Sequence, residues 1–162
     1  TLALRDAPAI LAAVFARLGT EPRGDGTGMS VHGIELTSPA GVAPTSSYEH
    51  AARCGDFVFV AGQVARDETG AWVGPGDAGA QAVQVYRNIG RILEHVGATP
   101  LDVVKITTMM VDREDRDAVT AARLNFFGDH RPPHTGMIVA GLGSPEVRVE
   151  VEVIVYLPRP RP

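Results

Sequence analysis

Cysteine, aromatic residues and positive charge are all scarce in this chain of 162 residues. A single cysteine, Cys54, means that no disulfide can form within the chain, which is typical of proteins in a reducing compartment. Acidic side chains outnumber basic ones and the formal net charge is −4. That balance argues against non-specific binding to nucleic acid and against docking on an anionic membrane.

Long apolar runs are missing too. No stretch approaches the roughly 20 residues that cross a bilayer, and the N-terminus shows no basic segment followed by an apolar core, as a signal peptide would. A hydrophobic fraction of 44% and a charged fraction of 21% are typical of an ordinary globular domain. We therefore expect a soluble, cytoplasmic protein.

Motifs for metal or phosphate binding are absent as well. The five histidines never form the helical spacing that places two ligands on one metal, because two prolines separate His130 from His134. The glycine-rich stretch at 24–28 follows no predicted strand and precedes no lysine, so we interpret it as a loop. We expect no metal and no cofactor.

Hydrophobic periodicity predicts the helices and strands along the chain. The first part is predicted to hold a helix at 6–18, a linker at 19–30 and a strand at 31–36. The rest is predicted to contain strands at 57–64, 103–111, 137–141 and 147–156, a returning hairpin arm at 71–73, and helices at 77–96 and 115–128, and a short tail follows at 159–162.

Two helices against one sheet predict an α+β two-layer sandwich. The last strand alternates strictly, with valines on one face and Arg148, Glu150, Glu152 and Tyr156 on the other. If the helices cover the valine face, the second face of the sheet needs a partner subunit.

A few side chains have the chemistry for a site. Glu150 or Glu152 at a subunit boundary would have a raised pKa and handle protons or position water, although a solvated outer face is the alternative and is favoured for Glu152. By spacing alone, His134 and Thr135 are an exposed imidazole and a hydroxyl at the start of a strand, and Cys54 is a packing residue.

Several segments, taken together, resemble the Rid family of reactive-intermediate (imine) deaminases, also called YjgF-like proteins. They cover most of residues 43–157: Tyr48, GDFVFVAGQV (55–64), DETG (67–70), QVYRNIGRILEHVGA (84–98), DVVKITTMMVDREDRDAV (102–119), NFFGDHRPPHTGMIVAGL (125–142) and VRVEVEVIVY (147–156). The resemblance implies an N-terminal extension at 1–42 and one Rid-like domain at 43–158. It also implies a chorismate-mutase-like fold, assembled as a homotrimer around a central barrel with ligand clefts between subunits. It also implies hydrolysis of imines and enamines, such as 2-aminoacrylate, to 2-keto acids and ammonia without cofactor or metal.

The resemblance also assigns roles to individual residues. Glu150 matches the glutamate thought to hold the attacking water, and the aromatic residue at Tyr48 is kept. The arginine that grips the substrate carboxylate is replaced, since Thr135 stands at the matching position when the segment is aligned without gaps to the last strand. Ala61 stands where the family has serine, and Thr120 where it has asparagine.

Losing a bidentate, charge-assisted contact costs a few kcal/mol, which is about two powers of ten in affinity. We therefore expect a cleft, shaped by Tyr48, Thr120, His134, Thr135 and Met137, that suits a less acidic or larger substrate than 2-aminoacrylate. The alternative is a trimer that binds a metabolite without turnover. Ribonuclease activity fits least, because the chain is acidic and lacks a basic groove.

Overall fold

The computed structural model of the chain describes residues 30–31 and 33–159. The helix predicted at 6–18, most of the linker at 19–30 and most of the tail lie outside these residues. The described elements are β1 (Ser30–Val31), β2 (Ile34–Thr37), β3 (Ala51–Cys54), β4 (Phe57–Gln63), α1 (Ala78–Val96), β5 (Val103–Met110), α2 (Arg116–Phe127), β6 (His134–Ile138) and β7 (Val149–Tyr156).

The strands form one sheet in the order β1-β2-β3-β4-β7-β5-β6, with β6 parallel to β5 and the other pairs antiparallel. The predicted alternation of the last strand is confirmed, because Val149, Val151, Val153 and Val155 are all buried. β7 lies between β4 and β5, and this central position places its valines in the core beneath the helices. The α+β architecture of two helices and one sheet is confirmed.

The helix α1 agrees closely with its prediction. It is capped by the Asp77 side chain, which accepts a hydrogen bond from the amide of Ala80, and it ends at Gly97, whose φ of 79° suits glycine. The spacing of apolar residues predicts that Val83 lies on the core side of this helix and Gln84 on its polar side. Both predictions are wrong, because Gln84 is buried and Val83 is 51% exposed.

The buried amides of α1 are satisfied by loops. Gln81 donates to the carbonyls of Gly74 and Glu146 and accepts from the amide of Arg148, and Asn88 donates to Val64 and Arg66. A buried amide side chain is tolerated when its hydrogen bonds are made. These contacts hold the loops that follow β4 and precede β7.

Three predicted strands differ from the observed ones. The strand at 31–36 is divided in two at Gly33, where φ is 80°. The strand predicted at 137–141 is observed as β6, three residues earlier in the chain, at His134–Ile138. The carbonyl of Pro133 accepts a hydrogen bond from the amide of Ile106, and the parallel pairing with β5 starts there. The hairpin arm at 71–73 is reduced to one bridge between Arg66 and Trp72.

The sheet has one covered and one uncovered face. The helices pack on the valine face, and the opposite face, here called the free face, exposes Phe57, Phe59, Met137 and Tyr156. Phe59 is 47% exposed in the single chain. Within the part of the chain that the structure describes, no helix has both the length and the apolar character needed to span a bilayer.

Candidate functional site

A cavity of about 370 Å³ lies at the end of the sheet where β4 meets β7. The segment 43–48, the end of β4 with the loop that follows it, and the segment 143–147 border the cavity. Tyr48 and Glu150, both predicted site residues, line it together. This cavity is therefore where a single chain brings an aromatic ring and a carboxylate into one space.

The carboxylate of Glu150 rests against the backbone of Gly62. A β-carbon at position 62 would lie 1.9 Å from Oε1 of Glu150, so the side chain occupies space that only glycine leaves open. The pairing of β4 with β7 shifts register between Val60 and Gln63, which places Gly62 in an irregular part of the sheet. The strand pairing thus positions the carboxylate.

The environment of Glu150 favours its neutral form. Burial raises the pKa of the Glu150 carboxyl, and the nearby charge of Glu152 raises it further. Glu152 itself is exposed, as predicted. A carboxyl whose pKa is moved toward neutrality is suited to both accept and release a proton.

The segment that carries Tyr48 is fixed by a buried histidine. His50 is only 4% exposed, and its Nε2–H donates to the carbonyl of Ala43 at 2.8 Å. Its Nδ1 then accepts from the amide of Gln63 at 3.1 Å. The Tyr48 ring packs edge-on against the imidazole, with 5.9 Å between ring centres.

His50 was missed by reasoning from the sequence, which treated it as one more histidine without a metal partner. Its role depends on Ala43 and on Gln63, which reach it only in the folded chain. The one local indication was its position two residues after Tyr48 and directly before the strand β3.

Arg66 and Trp72 also line the cavity and were also missed. The guanidinium carbon of Arg66 lies 4.1 Å from the centre of the Trp72 ring, which is a cation–π contact. The bridge between the two residues places both side chains on the same side of the turn that follows β4.

The other predicted site residues are not among those that line this cavity. His134 and Thr135 point to opposite faces of the sheet, as strand alternation predicted. His134 faces α2, where its Nδ1 accepts from Arg123 at 2.5 Å and its Nε2–H donates to the hydroxyl of Thr108 at 3.0 Å. Burial, and then the charges of Arg123 and Lys105, lower the pKa of His134 and keep it neutral.

Thr135 lies on the free face and accepts a hydrogen bond from Lys105. Met137 follows it on the same face and is 42% exposed. Ala61 is half-buried near the end of β4, and Thr120 is half-buried in α2. Ala61 directly precedes Gly62, the residue against which the Glu150 carboxylate lies.

The remaining candidates from the sequence are a metal site and the Cys54 thiol. Within 30–31 and 33–159, no group of three or more His, Cys, Asp or Glu side chains is arranged to hold a metal ion. The Cys54 thiol is exposed at the end of β3, so the predicted packing role is wrong.

Comparison with protein families identifies the fold. The model of the family described as Endoribonuclease L-PSP matches residues 39–157. A RutC family protein of Pyrococcus abyssi is 38% identical over 114 residues, which are 70% of this chain and 88% of the relative. The 2-iminobutanoate/2-iminopropanoate deaminase of Mus musculus is 31% identical over 119 residues, which are 72% of this chain and 84% of the relative.

Solved structures show the same architecture. A putative endoribonuclease L-PSP from Entamoeba histolytica matches with a TM-score of 0.71 and 29% identity, covering 76% of this chain and 99% of that one. RidA from an Antarctic Psychrobacter matches with a TM-score of 0.68 and 28% identity, covering 75% and 98%. The chain therefore belongs to the Endoribonuclease L-PSP family, and the resemblance to Rid (YjgF-like) proteins is confirmed.

Proposed function

We propose that this protein hydrolyses a small imine or enamine, as a deaminase whose site differs from that suited to 2-aminoacrylate. The observation that supports this most is the Glu150 carboxyl, which is half-buried against Gly62, shares a cavity with Tyr48 and has a raised pKa. The similarity to 2-iminobutanoate/2-iminopropanoate deaminases adds the reaction class.

The reaction needs one group that moves protons. In its ionised form, Glu150 accepts a proton from a water molecule as the water oxygen adds to the carbon of the C=N bond, and it passes this proton to the nitrogen to give a carbinolamine. The carboxylate then takes the proton of the carbinolamine hydroxyl and delivers it to the nitrogen as the C–N bond breaks, so that the C=O bond forms and ammonia leaves. Imine and water become a carbonyl compound and ammonia, and the carboxylate is restored.

The active form is proposed to be a homotrimer. Phe57, Phe59, Met137 and Tyr156 expose apolar surface on the free face, and a sheet face of this kind is normally covered. β6 forms one edge of the sheet with all five residues exposed, which leaves backbone groups open to a second chain. A neighbouring copy on these surfaces would bring the positions at Thr120, Thr135 and Met137 toward a shared cleft.

A direct assay tests the activity. Imines released from a panel of amino acids by an amino acid oxidase are supplied to purified protein, and ammonia and the carbonyl product are followed. Glu150→Gln should lose at least about 10²-fold in turnover, because a general acid–base group contributes 10²–10⁴-fold. Glu94→Gln, an exposed position on α1, is the matched control. Unchanged activity in Glu150→Gln would end the proposal.

Metabolite binding without turnover is the second candidate. It is favoured by Thr135, whose hydroxyl is engaged by Lys105 and cannot replace the family's arginine. Ligands that raise the melting temperature strongly while no imine is consumed would support this candidate over the hydrolase.

Ribonuclease activity, which the family description names, is supported least. Among the described residues that line the cavity, Arg66 alone carries a permanent positive charge. RNA binding relies on many positively charged side chains. An RNA cleavage assay with Glu150→Gln as the control tests it.

A further inference from the structure

The cavity that holds Glu150 also holds a cation that the proposed proton chemistry leaves unused. Arg66 lines the same space and lies over the Trp72 ring at 4.1 Å. A guanidinium carries five N–H donors that point outward in its own plane. When its face rests on an aromatic ring, its donor edge stays available for another partner.

The backbone of Arg66 is held in place. Its carbonyl accepts from Asn88 at 2.9 Å and from Gln84 at 3.3 Å, and both of these amides are buried on α1. Its own amide donates to the carbonyl of Val64 at 2.8 Å. The backbone from which the Arg66 side chain extends is thus held by hydrogen bonds to buried residues of α1.

The guanidinium has no fixed acidic partner within the part of the chain that the structure describes. Its side chain makes no hydrogen bond or ion pair there. Glu146 is close enough to feel its charge, but the Glu146 carboxylate is exposed and takes the hydroxyl of Ser144 instead. Glu150 is not paired with Arg66 either, so both side chains remain available to a ligand.

We propose that Arg66, stacked on Trp72, binds the carboxylate of the substrate and so determines its class. This inference rests on the proposed imine hydrolysis at Glu150. The arginine would take a planar anion through two parallel hydrogen bonds, as guanidinium groups do with carboxylates. Because Arg66 and Glu150 line one cavity and are not paired with each other, the substrate would be a carboxylate-bearing imine with its anionic end at Arg66 and its imine carbon at Glu150.

The fluorescence of Trp72 reports directly on ligand binding at Arg66, because Trp72 is the single tryptophan of the chain. The probe is 2-oxo-4-methylpentanoate, a member of the product class, and the comparison ligand is its neutral amide. Binding is followed by tryptophan fluorescence and by isothermal titration calorimetry. The carboxylate should change the fluorescence saturably and bind at least about tenfold more tightly than the amide.

Two variants complete the experiment. Arg66→Gln should weaken carboxylate binding by about 10- to 100-fold and leave amide binding unchanged. Arg116→Gln, an exposed arginine at the start of α2, should bind both ligands as the wild type does. Equal carboxylate affinity in Arg66→Gln and wild type, or no saturable binding of the carboxylate, would overturn the inference.

Failure of the inference and failure of the proposed function give different results. Glu150→Gln should keep the Arg66-dependent binding and lose turnover. If Arg66-dependent binding is found but no imine is hydrolysed, the function is wrong and the arginine site stands. If imines are hydrolysed but Arg66→Gln has the same kcat/KM as wild type for acidic and neutral imines, the function stands and the inference is wrong.

Discussion

A β-carbon on Gly62 would lie 1.9 Å from Oε1 of Glu150, well inside the contact distance of the two atoms. The backbone of Gly62 is not in the left-handed region, so its conformation alone does not require glycine. What requires glycine is the carboxylate. The strand β4 therefore contributes to the site by the absence of a side chain.

Replacing Gly62 should change the position of the Glu150 carboxylate while leaving the stability of the fold nearly unchanged. In Gly62→Ala the methyl group should displace the flexible end of Glu150, and a misplacement of about 1 Å can cost about 10²-fold in rate. The fold should lose little, since the displaced atoms are the end of a mobile side chain. Imine turnover and the melting temperature are both measured. Gly141→Ala, where nothing lies within 4 Å of the added carbon, is the control; equal turnover in the two variants would contradict this account.

The fold was largely predictable because strong periodicity and clear caps survive in the sequence. Helix α1 was placed almost to the residue, since Asp77 and Gly97 mark its ends and the apolar stripe lies between them. What failed was the polar side of this helix. Gln81 and Gln84 were predicted on the polar side, and only the loops that fold back over them make their burial acceptable.

The site was predictable only in part. Glu150 was first singled out from its place in the last strand, and the resemblance to a family then added Tyr48. The structure places both in one cavity. His50 and Arg66 were not found, because their contacts join segments that lie far apart in the sequence or across a turn. The proposed cleft between subunits cannot be seen in one chain at all.

The raised pKa of Glu150 makes stability depend on pH. Burial and the charge of Glu152 raise its pKa in the folded state above the unfolded value, so the folded protein holds this proton more tightly. The resulting stabilisation is complete below the unfolded pKa, near 4.3, and is lost as pH rises through the higher folded value. Glu150→Gln, which cannot ionise, should melt above the wild type near pH 7.5, and this advantage should vanish toward about pH 4.

Melting curves between about pH 4 and pH 7.5 check the sign of the difference in melting temperature between Glu150→Gln and the wild type. Glu94→Gln, exposed on α1, should follow the wild type at every pH. A Glu150→Gln variant that melts below the wild type at neutral pH would show that the ionised carboxylate stabilises the fold.

Glu152 should tune the pH at which the enzyme becomes active. If the ionised Glu150 accepts the proton of the water, kcat/KM should rise with pH through the Glu150 pKa. Glu152→Gln removes the neighbouring like charge and so lowers that pKa. The acid limb of the pH–rate profile should move to lower pH, while the plateau at high pH stays near the wild-type value. A limb that does not move would exclude Glu150 as the titrating group.

His50 should contribute to stability through its two hydrogen bonds. His50→Phe keeps the ring but leaves the Ala43 carbonyl and the Gln63 amide without these partners in a buried place. The Gln63 amide keeps its hydrogen bond to the carbonyl of Ala61, so the Ala43 carbonyl suffers the larger loss. An unpaired buried polar group costs about 1–3 kcal/mol, and we expect a loss of that size in the free energy of unfolding. Urea denaturation measures it. As a control, His95→Phe, at an exposed position, should change stability by less than about 1 kcal/mol. An equal loss in both variants would show that the hydrogen bonds of His50 add nothing to stability.

The free face should mediate assembly of the trimer. Phe59 is 47% exposed on this face, and burying it against another copy would remove apolar surface from water. In Phe59→Glu the same contact would bury an unpaired carboxylate, which is strongly unfavourable. By sedimentation equilibrium the wild type should have three times the mass of the 17.1 kDa chain, and Phe59→Glu should be a monomer with reduced imine turnover. Val83→Glu, equally apolar and exposed but on helix α1, should remain trimeric and active. A wild-type monomer that turns over imines at the full rate would show instead that one chain's cavity, with Glu150 and Tyr48, is a complete site.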